Sequence, residues 1–314
     1  MPASAVQSFT DPGAYADAIR CARADLTVTG RGPFKATLTR VDLPDLLVHG
    51  YADNLPRILN TASSVTRVVI AFPRQPDMGL QWNCLEMQQA SIMRIGAHAD
   101  SFQRSSGPSS FGTMSLSNDK MASVAETILG RDLGRPDDDL NVTPLAAAMA
   151  KLVKLHADAG NLAETAPEII VHPESARGLE AALIQSMVKC LGGADIDTDV
   201  AAQRRSAAIM RRFHAFMEAR QGEAIYMTDV CAAIGVPQRT LHKYCHEGLG
   251  MGPKRYLLLR RMHMAREKLR KANRQAGAVT DIACSLGFWN FGRFAVEYRV
   301  LFGETPSATL RAPR

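Results

Sequence analysis

Thr280-Asp-Ile-Ala-Cys-Ser-Leu-Gly-Phe-Trp-Asn-Phe-Gly-Arg-Phe-Ala-Val-Glu-Tyr298 decides the reading of the C-terminal part of the chain, because a second stretch upstream has the same layout. That stretch is Thr228-Asp-Val-Cys-Ala-Ala-Ile-Gly-Val-Pro-Gln-Arg-Thr-Leu-His-Lys-Tyr-Cys245. Each reads as a short capped helix, a glycine turn and a second helix with polar or basic residues outside. Such a helix-turn-helix lays its second helix into a DNA major groove. Thr228 and Thr280 are expected as N-caps, each followed by an Asp that suits the positive end of a helix dipole. Ala232, Ala233 and Ile234, with Ile282, Ala283 and Leu286, are expected to pack between the helices of their unit. Gly235 and Gly287 supply the turns, where positive φ is cheap only for glycine.

The first recognition helix is expected to start at Pro237, with Leu241, Tyr244 and Cys245 facing inward. Gln238, Arg239, His242 and Lys243 then fall outward, and Arg239, His242 and Lys243 are the candidates for base edges or phosphate. The second is expected over residues 291–301, with Phe294, Tyr298 and Leu301 inward. Asn290, Gly292, Arg293, Val296, Glu297 and Arg299 are left outside. Glu297 has two readings, acceptance from a cytosine amine or an i,i+4 pair with Arg293. Between the units, residues 253–272 read as one amphipathic helix. Leu257, Leu258, Met262, Ala265 and Leu269 form its buried side, and Lys254, Arg255, Arg260, Arg266, Lys268, Arg270 and Lys271 are mostly outward. A rigid spacer of this kind should set the recognition helices about one DNA turn apart, roughly 34 Å.

Charge supports the reading. Residues 220–314 hold 16 Lys and Arg against 7 Asp and Glu, whereas residues 1–219 hold 21 against 24. A basic domain attracts polyanions through counterion release. The six cysteines, Cys21, Cys84, Cys190, Cys231, Cys245 and Cys284, include no C-x-x-C pair and are expected as reduced, mostly buried thiols of a cytoplasmic protein. The first ten residues carry no secretory pattern, and no apolar run reaches the length of a membrane span.

Upstream, short β-like runs separated by turn residues occupy residues 26–29, 35–41, 46–51, 66–72, 80–85 and 91–95, and residues 105–110 read as a loop. Several short strands in sequence suggest a small barrel or sandwich. Helices follow over residues 119–129, 144–157, 174–191 and 200–220. Asn118, Thr143 and the acidic 197–199 run are the expected N-caps, and Gly130 a stop. The expected organisation is an N-terminal segment 1–24, an effector-sensing domain 25–165, a helical connector 166–219 that is a candidate for dimerisation, and a DNA-binding domain 220–314.

Residues 220–314 resemble the DNA-binding domain of the AraC/XylS family of bacterial transcription regulators. The strings that carry this are Leu249-Gly-Met-Gly-Pro-Lys-Arg-Tyr-Leu257, Arg261-Met-His-Met-Ala265, Asp281-Ile-Ala-Cys-Ser-Leu-Gly-Phe288, Arg293-Phe-Ala-Val-Glu-Tyr-Arg299 and Leu301-Phe-Gly-Glu-Thr-Pro306. The resemblance implies seven helices, binding to an asymmetric double-stranded promoter site, and DNA contacts at Arg239, His242 and Lys243 and at Phe291, Gly292, Arg293 and Val296. Gly292 and Val296 depart from a hydrogen-bonding pattern and leave thymine methyls or backbone as targets. Gly107-Pro-Ser-Ser-Phe-Gly-Thr-Met-Ser-Leu116 is similar to a segment of cupin-like sensor domains.

The expected fold is therefore α+β, a β-rich cupin-like barrel with flanking helices followed by an all-α domain with two helix-turn-helix units. The expected function is an effector-responsive activator, with promoter DNA, RNA polymerase and an unidentified small molecule as partners and a homodimer as an option. Trp82, Arg94 and His98 are candidates for an effector pocket, although a packed interior explains Trp82 as well. One alternative is a dimeric DNA-binding regulator without an effector. Another is a catalytic domain fused to the helix-turn-helix, but His49, His98, His156 and His172 stand isolated and no nucleophile or nucleotide motif is present. No catalytic residue, metal ligand or cofactor is assigned.

Overall fold

The computed structural model describes residues 2–19, 23–62, 66–75, 79–96, 100–137, 139–193, 195–196, 201–220, 223, 225–273 and 277–312. The chain opens with β1 (Ala3–Phe9), α1 (Pro12–Ala18), β2 (Arg23–Val28), β3 (Ala36–Asp42), β4 (Leu47–Asp53), β5 (Arg57–Ala62) and β6 (Arg67–Pro73). It continues through β7 (Leu80–Trp82), β8 (Leu85–Glu86), β9 (Ile92–Arg94), β10 (Asp100–Ser105), β11 (Ser109–Ser117), α2 (Asn118–Leu129) and β12 (Leu140–Thr143). Then come α3 (Ala146–Thr165), α4 (Pro167–Val171), α5 (Pro173–Gly192), β13 (Asp195–Ile196) and α6 (Ala201–Ala219). The C-terminal helices are α7 (Met227–Ile234), α8 (Gln238–Leu249), α9 (Pro253–Lys271), α10 (Ala278–Ser285), α11 (Phe291–Phe302) and α12 (Pro306–Arg311).

The β-rich N-terminal half, its flanking helices and the all-α C-terminal region with two helix-turn-helix units are as expected. The barrel is open. Among the described residues the strands form an eight-stranded sheet, β1-β3-β4-β11-β6-β9-β12-β13, and a five-stranded sheet, β2-β5-β10-β7-β8. Period-two alternation sorts the side chains between layers. Leu26, Leu59, Trp82, Met93 and Phe111 point between the sheets. Val68, Ile70, Phe72, Met114 and Leu116 point the other way, into a core shared with α2, α3 and α5. Ile58 and Phe102 point off the outer face of the five-stranded sheet, where α6 to α9 cover them. The result is four layers, helices, sheet, sheet and helices. The first helix-turn-helix unit packs directly on the sensor sheet, and the second has its own core around Leu269, Phe294 and Tyr298.

Several local expectations shift. Thr228 and Thr280 lie inside their helices, because α7 starts one residue earlier and α10 two; Tyr226 and Gly277 hold the N-cap positions. Asp229 and Asp281 still occupy the first turns. Pro237 is an N-cap rather than the first helical residue. Ser117 replaces Asn118 as a cap, its hydroxyl accepting the Lys120 N–H at 3.2 Å, and Thr143 ends β12 instead of capping α3. Ala232 and Ala233 are exposed, while α7 buries Val230 and, as expected, Ile234. Of residues 105–110, expected as a loop, Ser105 ends β10 and Ser109 and Ser110 begin β11, which leaves a short turn between the strands. Asp195 and Ile196 form a short strand that pairs with β12. The 197–199 cap, His98 and Cys21 lie outside the described residues.

Candidate nucleic-acid interface

Each helix-turn-helix unit buries one face of its second helix and exposes the other. In α8, Leu241, Cys245, Gly248 and Leu249 are buried, while Gln238, Arg239, His242 and Lys243 are exposed. Gly235 closes the turn with φ 69°, the left-handed conformation that the sequence requires of a glycine there. Lys243 stands 3.8 Å from Glu247, and His242 lies beside His246 with ring centroids 4.5 Å apart. In α11, Phe294, Tyr298 and Leu301 are buried, and the Tyr298 hydroxyl bonds the Thr309 hydroxyl at 2.8 Å. Asn290, Phe291, Gly292, Arg293 and Val296 are exposed. Asn290 caps the helix by accepting the Arg293 N–H at 2.9 Å, and Arg293 donates to Glu297 at 2.8 Å. The i,i+4 pairing is thus the reading of Glu297 that the structure supports.

The spacer helix α9 is where sequence reasoning missed most. Leu257, Met262, Ala265 and Leu269 are buried as expected. Arg260, expected outward, is buried. It donates to the Met217 carbonyl at 2.9 Å and faces Asp25 of β2 at 3.8 Å. Arg266 reaches Glu304 at 3.1 Å and Asp11 at 3.6 Å, and Arg270 also pairs with Asp11. His263 bonds the Val28 carbonyl at 2.9 Å, and the Tyr256 hydroxyl accepts from Asn60 at 3.2 Å. One side of α9 is therefore fastened to the sensor domain along its length. Gly248 allows the close approach of α8, since a Cβ there would sit 3.0 Å from the Cys84 sulfur.

Two histidines at this seam are held neutral. Burial pushes His214, packed 4.6 Å from the Phe102 ring, down to about 3, and Arg260 adds to the effect. Burial likewise pushes His263 down to about 4, against the raising effect of its Val28 hydrogen bond. Both folded values lie below the ordinary 6.5, so the unfolded chain binds more protons as pH falls. Stability contributed by the neutral rings is full above about pH 6.5 and is lost progressively towards about 4 for His263 and about 3 for His214. We expect the melting temperature to fall between pH 7 and 5, and to fall less in His214→Leu. Parallel profiles for the two proteins would contradict it. His156, lowered to about 4 by burial in the sensor domain, contributes equally to both profiles.

The other sequence candidates separate. Trp82 is buried between the sheets, and Arg94 is buried with its guanidinium donating to the Leu133 and Gly134 carbonyls, so neither lines an open pocket. Among the described residues no group of three or more His, Cys, Asp or Glu is placed to hold a metal ion. Among the described residues no helix is long and apolar enough to cross a membrane. Cys190 and Cys245 are buried, Cys84 and Cys231 half-buried and Cys284 exposed.

Residues 230–312 match a family model described as a helix-turn-helix domain. The C-terminal domain belongs to the AraC/XylS family. The chain is 38% identical over 96 residues to the "Probable thc operon regulatory protein" of Rhodococcus erythropolis, covering 31% of this chain and 29% of that one. It is 33% identical over 96 residues to "XylDLEGF operon transcriptional activator 3" of Pseudomonas putida, with the same coverage. A solved structure, "a probable AraC family transcriptional regulator from Rhodopseudomonas palustris CGA009", is 31% identical, covering 33% of this chain and 95% of that one, with a TM-score of 0.30. The chain thus matches under a third of the length of these two curated relatives.

Proposed function

We propose that the protein is a sequence-specific transcription regulator that binds double-stranded promoter DNA through α8 and α11 and activates transcription in response to a small molecule. The observation that carries this is the pair of exposed recognition faces on one basic domain, held by the single helix α9. Gln238, Arg239, His242 and Lys243 contact DNA from the first unit, and Asn290, Phe291, Gly292, Arg293 and Val296 from the second. RNA polymerase and a second copy of the chain are the protein partners implied, and the cytoplasm is the compartment. The activator reading rests on the relatives named as transcriptional activators. The domain division proposed is 1–24, 25–165, 166–219 and 220–314. Helix α6 shares its core with α7 to α9, so the connector contributes structurally to the DNA-binding domain.

The effector reading is supported by a cavity of about 170 Å³ at the seam. Its walls combine Phe34, Leu55 and Phe302 with the polar Lys35, His263 and Arg266, drawn from both halves of the chain. A small anionic molecule with an apolar body suits such a lining. It would touch the sensor strands and α9 together, and so couple binding to the DNA-binding domain. Arg239→Ala is expected to cost about 1–3 kcal/mol in affinity for the preferred site and to relax selectivity at one base pair. Equal loss on all sequences would make Arg239 a phosphate contact. No loss on any sequence would remove α8 from the interface.

A further inference from the structure

The two recognition helices present opposite chemistry. The outward face of α8 is polar and basic, whereas the outward face of α11 is centred on Gly292 and Val296, with Val296 64% exposed. Trp289, 87% exposed, stands just before the helix, and Phe291 and Val300 are exposed beside them. Two arginines share the exposed surface of the helix. Arg299 is exposed, and Arg293 is engaged by Glu297 at 2.8 Å. Apolar side chains left in water on a recognition face, with Arg293 and Arg299 beside them, fit a surface that is apolar inside and anionic at its rim. The major groove over thymines has that character, with C5-methyl groups on the floor and phosphates on both sides.

Gly292 adds an independent observation. A Cβ built there would meet only the Asn290 side-chain oxygen, at 3.7 Å, an ordinary contact. The residue lies in α11 without a positive φ. Among the described residues nothing therefore needs glycine at this position, although glycine inside a helix costs stability relative to alanine. The missing side chain serves an approach from outside.

We propose that the second helix-turn-helix unit selects its DNA segment through thymine methyl groups, which Val296 and its apolar neighbours contact while Gly292 lets the helix backbone descend towards the groove floor. This rests on the DNA-binding reading above. Selectivity then divides between the units, with hydrogen bonding from α8 and apolar contact from α11.

The test uses the full chain and a preferred duplex selected from a random library. Each thymine is replaced in turn by deoxyuridine, which removes only the methyl group. At one or more thymines on the α11 side of the site, binding should weaken about fourfold, the equivalent of one buried methylene. Val296→Ala, at an exposed position, should leave the melting temperature unchanged and make at least one of those thymines insensitive. Gly292→Ala should raise the melting temperature yet weaken binding at the selected site. Specific binding with every deoxyuridine neutral, or methyl sensitivity unaltered by Val296→Ala, overturns the proposal while leaving the regulator reading intact. Gly292→Ala binding as tightly as the parent overturns the close approach. A library that yields no preferred duplex overturns the regulator reading itself.

Discussion

Asp53→Ala is expected to destabilise the sensor domain by about 3–5 kcal/mol, the range for leaving one member of a buried ion pair alone. Arg57 and Asp53 have fully buried side chains and meet at 2.8 Å. Asp53 ends β4 in the large sheet, and Arg57 begins β5 in the small one, so the pair ties the corner where the chain crosses between sheets. Another crossing between the sheets, from β10 to β11, joins the same network. The Ser109 hydroxyl donates to Asp53 at 3.0 Å, and the Arg57 guanidinium donates to Ser109 at 3.3 Å and to Gln103 at 3.4 Å. Its carbon also sits 5.7 Å from the Phe111 ring centroid. Removing the carboxylate strands a guanidinium with no route to water. The measurement is urea unfolding followed by Trp82 fluorescence in a Trp289→Phe background, since Trp82 is buried and Trp289 is exposed. Asp53→Ala with Arg57→Met should recover much of the loss. A loss below about 1 kcal/mol would contradict the buried, unrelieved setting of the pair.

Phe213→Ala should cost a similar amount, about 3–5 kcal/mol, at the other structural centre of the molecule. Phe213 is fully buried in α6, with ring centroids 5.7 Å from Tyr256 and 5.5 Å from His214. Ile209, Met210 and Met217 of the same helix join it in the core that also contains Ile58 and Phe102 of the sensor sheet. Truncation therefore opens a cavity where both halves of the chain meet. Hydrogen exchange should quicken in α6 to α9 and along β5 and β10, while the second unit, with its separate core, keeps its protection. Faster exchange confined to α6 would contradict a shared core.

The C-terminal domain was largely legible because its signals are local. Glycine turns, small helices and an apolar stripe at helical spacing are all present within each unit, and the inward positions Leu241, Cys245, Phe294, Tyr298 and Leu301 follow from periodicity alone. Cap positions moved by two and three residues because Thr228 and Thr280 are acceptable in a first turn as well as before it. The strands β5 and β10 were not legible. Arg57-Ile-Leu-Asn-Thr-Ala62 and Asp100-Ser-Phe-Gln-Arg-Ser105 carry polar residues on both faces, because one face enters the buried Arg57 network and the other meets the DNA-binding domain. The same docking explains Arg260. Helical periodicity places it beside solvent-facing residues, and only the packing of α9 on β2 and α6 buries it. The seam cavity was equally hidden, since Lys35 and Arg266 are distant in sequence and carry no spacing signal.

The central claim is that two exposed recognition helices read a defined DNA sequence. The most direct measurement is a salt titration of the full chain binding its own upstream region and a scrambled duplex of equal length. Preference for the upstream region by at least about 10³-fold, with affinity for both falling steeply as salt rises, is the expected result. Equal affinity for the two, persisting across genomic fragments and with candidate effectors added, would contradict it.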